Sequence, residues 1–171
     1  LVDMSHIAPC YAYRGQADGE SEADYGRRVA DELETEILRL GPETVAAFIA
    51  EPIMGAGGVV IPPAGYFEKI QAVLKKYDIY FIADEVICGF GRTGEMFGSQ
   101  SFNMKPDSIS VAKALSSAYF PIAAVTVGEE MYQAMIDESK KIGTFGHGFT
   151  YTAHPVGAAV AAKTLEIYEK R

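Results

Sequence analysis

The sequence is short of the features that would place it in several common classes. It has two cysteines, Cys10 and Cys88, far apart and without the close spacing of a metal knuckle or redox pair. That argues for a reducing, cytoplasmic setting and no disulfide. It has no excess of basic charge: 15 Lys and Arg stand against 23 Asp and Glu, a net charge of −8. A nucleic-acid or anionic-membrane surface needs a basic patch, so neither partner is expected. No apolar run approaches the roughly 18 residues of a membrane-spanning helix. There are no repeats and no low-complexity tract. The three histidines include His147 and His154, whose spacing does not suit a helical metal pair, so no metal site is expected.

What is present is an ordinary globular composition, 49% apolar and 22% charged over 171 residues. That length can bury a real core in one domain. The chain starts at Leu1 without Met and ends at Lys170-Arg171 straight after a helical pattern, which reads as a fragment.

Three short apolar runs each finish on an ionisable residue. Val45–Ala50 ends on Glu51, Ile79–Ala83 on Asp84-Glu85, and Asp107–Ala112 on Lys113. Such runs read as buried parallel strands. A helix with Phe67, Ile70, Leu74 and Tyr77 on one face separates the first two, which predicts a right-handed βαβ unit and an α/β fold. Open α/β sheets bind ligands beyond the carboxyl ends of their strands. An acid and an amine are therefore expected at one rim.

Further elements follow from periodicity and punctuation. Ser21–Asp24 resembles a capping box before a helix carrying Val29, Leu33, Ile37 and Leu40, stopped by Gly41-Pro42. Gly55–Gly58 reads as a flexible loop. Ile122–Val127 reads as a strand, Glu129–Glu138 as a helix with Met131 and Met135 inward, and Pro155–Glu169 as a final helix. Thr150 and Thr152, in the loop before that helix, could donate to a phosphate, or Thr152 could simply cap it.

Lys113 is the lysine flanked on both sides by apolar residues, Val111-Ala112 and Ala114-Leu115. Burial would lower its pKa and free the amine for Schiff-base chemistry; the plain alternative is a strand-end lysine reaching solvent. Asp84-Glu85 after an apolar run also matches the Walker B acids of nucleotide hydrolases. That reading needs a GxxxxGK[ST] loop, and none occurs here. The letters GxGxxG at 89, 91 and 94 lack the strand–helix setting of a dinucleotide fingerprint.

Taken in order, four blocks resemble the class III aminotransferases, which use pyridoxal 5′-phosphate (PLP) on the fold-type-I architecture. They are Ala50–Gly55, Ala83–Gly94, Lys105–Leu115 and His147–Tyr151. The resemblance implies a three-layer α/β/α arrangement with a mostly parallel sheet. Residues 1–171 would form part of the large, PLP-binding domain. The N-terminal segment and C-terminal small domain would lie outside the chain, and the isolated segment would be inactive.

The resemblance also assigns roles. Lys113 would be the catalytic lysine that takes the cofactor aldehyde and moves the proton. Asp84 would sit at the pyridine nitrogen, Val86 on the ring face, and Thr150 at the phosphate of the neighbouring subunit in a homodimer. Glu51 would lie on the substrate side. Ile87 stands where some members carry Gln. With Cys88, His147–Tyr151 and His154-Pro155 it resembles the subgroup pairing amines or ω-amino acids with pyruvate, against ornithine or 4-aminobutyrate as donor. A hydrolase fragment and a non-catalytic homologue are the alternatives.

Overall fold

The computed structural model describes residues 3–170. The chain-end residues Leu1, Val2 and Arg171, read above as the edges of a fragment, lie outside them. Ten named elements run in order: α1 Ala12–Gly15, α2 Glu22–Leu40, β1 Ala47–Ala50, α3 Tyr66–Tyr77, β2 Tyr80–Asp84, α4 Gly98–Ser101, β3 Ser108–Val111, β4 Ala124–Val127, α5 Glu129–Ile142 and α6 Pro155–Glu169.

The strands form one sheet in the order β1-β2-β3-β4. β1, β2 and β3 are parallel neighbours, and β4 closes antiparallel on β3. The expected mostly parallel α/β sheet is present, with α3 as the crossover between β1 and β2.

Helix α2 begins where Ser21 Oγ accepts the Asp24 N–H at 3.1 Å. It ends at Gly41, whose φ of +92° favours glycine. Its buried face carries Tyr25, Val29, Leu33 and Ile37. It packs along α3, which contributes Phe67, Ile70, Val73 and Leu74. Phe81 and Ala83 of β2 join the same cluster, with Phe48 of β1 packed against it. Phe48 and Phe81 are register partners with ring centroids 6.1 Å apart. Fully buried side chains such as Ile37 and Ile70 each contribute about 1.5–3 kcal/mol by leaving water. A smaller cluster joins Val111 and Leu115 to Ala161 of α6.

Several sequence expectations need correction. β1 is not a buried strand: Ile49 is 50% exposed, because α3 and α2 cover only the face that carries Phe48. α5 runs on to Ile142, and it buries no residue among those described. Met135 is exposed, not inward. Gly55–Gly58 is a tight turn, not a floppy loop; the Met54–Val60 bridge closes it, and Gly58 and Val59 N–H both donate to Gly55 O. Thr152 does not cap α6. Its Oγ1 instead accepts the Phe149 N–H at 2.8 Å, and His154 occupies the cap position.

Candidate active site

The register of the sheet assembles the site. Ala50 at the end of β1 pairs with Ala83, and Asp84 at the end of β2 pairs with Ser110. Glu51, Asp84 and Lys113 therefore leave three adjacent parallel strands at one rim. This is the end of the sheet where such folds place ligands.

Asp84 is half-buried, and its Oδ1 accepts the Val86 N–H at 3.1 Å. The chain thus turns at once after the strand and leaves the second carboxylate oxygen available. Glu51 is also half-buried, and its Oε2 accepts the Gly55 N–H at 3.0 Å, which pins the Gly55 turn beside the rim. Ile87 packs so closely on Gly55 that a Cβ there would lie 2.5 Å from Ile87 Cδ1.

Lys113 opens a single 3-10 turn, Lys113–Leu115, with φ of +42°. A non-glycine residue seldom adopts that conformation, and such strain concentrates at functional sites. The side chain is exposed. Of the two readings of Lys113, the structure shows the strand-end lysine reaching solvent: Val111 and Leu115 turn into the core, while Lys113 turns out. Among the described residues no carboxylate pairs with it. The amine is open to a ligand.

Glu85, the second of the two adjacent acids, is held quite differently from Asp84. It is completely buried. Its two oxygens accept the N–H groups of Gly98 (2.9 Å) and Ser99 (2.6 Å) at the start of α4. It is not free to hold a metal or activate a water. Cys88 is buried behind it, with its thiol pushed up chiefly by burial and then by the nearby carboxylates of Glu85, Glu51 and Asp84. It is therefore a poor nucleophile.

The remaining assigned residues fall apart into two groups. Val86 is half-buried next to Asp84. Thr150 is exposed in the stretch between α5 and α6, where every residue from 143 to 154 is exposed. His147 and His154 lie in that stretch too, and no metal-holding cluster occurs among the described residues. A separate cleft of about 350 Å³ lies beside the opposite end of β2, lined by Tyr80, Lys105, Asp107 and Glu130. It is at the wrong end of the strands to share the chemistry of the rim.

A carboxylate and an exposed primary amine thus follow neighbouring parallel strands at one rim. Comparison with known proteins decides the family: the profile of the class-III aminotransferases matches residues 4–171. The chain belongs to the class-III aminotransferases. Gamma aminobutyrate transaminase 3, chloroplastic, of Solanum lycopersicum is 62% identical over 93% of the chain. Vanillin aminotransferase of Capsicum frutescens is 61% identical over 90% of it. A solved transaminase with L-ala has a TM-score of 0.94 and 58% identity, over 97% of this chain and 39% of that one. The omega transaminase from Pseudomonas jessenii in complex with PMP has a TM-score of 0.94 and 54% identity, over 96% of this chain and 36% of that one.

The chain spans about a third of the length of these curated relatives (31% and 33%). Nothing supports the nucleotide-hydrolase alternative. The Asp84-Glu85 pair that suggested it is one rim carboxylate and one buried structural carboxylate.

Proposed function

We propose that this chain is the central part of the large domain of a PLP-dependent transaminase. The reaction exchanges an amine or ω-amino acid donor with a keto acid such as pyruvate. The observation that carries this reading is the delivery to one rim, by parallel strands, of Asp84 and of Lys113, exposed and without a carboxylate partner among the described residues.

When bound, PLP supplies the electron sink that stabilises negative charge on the substrate carbon. The rest belongs to the protein. Lys113 would hold the cofactor through its aldehyde, and its amine would serve as base and then acid for the substrate proton. Asp84 would hold the ring nitrogen in its protonated form through a charge-assisted hydrogen bond. Val86 supplies an apolar wall for the ring. Glu51 serves the substrate side. Thr150 donates its hydroxyl to the phosphate in the partner's site. Its exposure supports that reading, as do the 77% exposure of Phe149 next to it and the unburied face of α5, where Tyr132 is 50% exposed. Both agree with a homodimer.

Relatives named for gamma-aminobutyrate and for vanillin are almost equally similar to the chain. The sequence-based case against 4-aminobutyrate, built on Ile87, is therefore not kept. Relatives named chloroplastic and mitochondrial likewise remove the ground for a cytoplasmic assignment. No described helix is long and apolar enough to cross a membrane.

The test is donor screening with the full-length protein, PLP and pyruvate, reading alanine formation from 4-aminobutyrate and from an arylmethylamine. Alanine from either donor, lost in Lys113→Ala, is the expected result. No alanine from any amine or ω-amino acid would contradict the reading. The segment 1–171 alone is expected to give none.

A further inference from the structure

The carboxylate next to Asp84 has no place in the chemistry above, yet it is the most deeply buried ionisable side chain of the rim. Strand alternation sends adjacent residues to opposite sides. Asp84 faces the rim, and Glu85 turns inward to the N–H groups of Gly98 and Ser99. Its own N–H donates to Ser110 O at 2.9 Å, the last rung holding β2 to β3 before Lys113. Burying a carboxylate away from cations is costly unless strong hydrogen bonds offset it. Glu85 has such bonds at both oxygens, so the arrangement is fixed rather than incidental.

The bonds to Gly98 also fasten a third segment. Gly98 is so close to its neighbours that a Cβ would lie 2.7 Å from Cys88 Cβ and 2.9 Å from Pro52 Cβ. Pro52 follows Glu51 directly, and Cys88 Sγ contacts Ile53 O at 3.5 Å. One buried carboxylate thus ties together the tip of β2, the start of α4 and the segment after β1.

We propose that Glu85 is a positioning residue, which fixes the directions of Asp84 and Glu51 by clamping Gly98 and Ser99. It touches neither substrate nor cofactor. The proposal rests on the transaminase reading above, in which Asp84 serves the cofactor ring. Glu85→Gln keeps the volume but offers one acceptor and turns an NH2 toward an N–H donor, so one bond is lost and a donor–donor clash gained.

The experiment uses the full-length protein and its apoenzyme. Variants Glu85→Gln and Glu85→Ala are compared with Gln100→Ala. Gln100 caps the same short helix from its exposed side, where Oε1 accepts the Phe97 N–H at 2.9 Å. PLP affinity is read by titrating the apoenzyme, and the visible band of the bound cofactor is followed against pH. Tryptic cleavage at the exposed Arg92, inside the clamped turn, is timed in the apoenzyme. Loss of one or both bonds is expected to raise the PLP Kd by about tenfold in Glu85→Gln and about a hundredfold in Glu85→Ala. The pH midpoint of the band moves, and cleavage at Arg92 speeds up. Gln100→Ala leaves Kd and band unchanged. If Glu85→Ala does not fold, Glu85→Gln carries the test. A Glu85→Gln protein that melts lower but keeps the wild-type Kd and band overturns the proposal, and so does a Gln100→Ala protein that loses PLP equally. A wild-type protein with no PLP band overturns the transaminase reading, and this inference with it.

Discussion

Asp107 and Phe81 hold each other in both directions. The Asp107 N–H donates to Phe81 O at 2.8 Å, and the Phe81 N–H donates to the Asp107 carboxylate at 2.7 Å. This clamp at the start of β3 sets its register on β2, and the register puts Asp84 and Lys113 at one rim. Asp107→Ala leaves the Phe81 N–H without its acceptor. It is expected to lower stability by about 1–3 kcal/mol. Asp107→Asn, which keeps an acceptor oxygen, costs less. Denaturant melts of the full-length protein check the order; equal losses, or none, would contradict it.

Gly98 is required by close approach. Gly98→Ala forces its methyl into Cys88 and Pro52 and is expected to cost about 1–3 kcal/mol, as overpacking does. Since the contact is with the Cβ of Cys88, adding Cys88→Gly restores part of the loss and adding Cys88→Ala restores none. Thermal melts of the single and double variants measure this.

Both thiols are free and buried. Burial pushes Cys10 up to about 11 and raises Cys88 as well. Thiolate is the reactive form, so both should react slowly with a disulfide reagent at pH 8 in the native protein. The rate at Cys10 is expected to keep climbing with pH toward 11. Native rates equal to those of the denatured chain would contradict the burial.

The Arg28 guanidinium grips both oxygens of Glu20, at 2.8 and 2.9 Å. With help from the Ala17 N–H, it brings the Glu20 carboxyl down to about 2 from an ordinary 4.5. A lowered folded-state value stabilises the charged form, so the contribution is complete above pH 4.5 and fades as pH falls toward 2. The melting-temperature gap between wild type and Glu20→Gln should therefore shrink across that window. A gap that stays constant with pH would rule the pair out as its source.

Much of this was legible because burial and chemistry alternate sharply along the chain. The apolar runs stop dead at Glu51, Asp84 and Lys113, and the parallel register turns those stops into one rim. Helices α2 and α3 were visible from their spacing of apolar residues. The misreadings share a cause: periodicity says which residues are apolar, not what covers them. Ile49 and Met135 look like core residues and are exposed. Lys113 looks buried by its neighbours, yet its side chain is exposed. The burial of Glu85 could not be read from spacing, since its partners lie 13 and 14 residues on, at a helix too short to show a period. The available signal was strand alternation, which separates Asp84 from Glu85.

The central claim is that Lys113 is the cofactor lysine. The most direct measurement is made on the full-length protein: add PLP, reduce with borohydride, digest, and map the modified peptide. A pyridoxyl label on Lys113, absent from Lys113→Ala, is the predicted result. A label elsewhere, or none, would contradict the account.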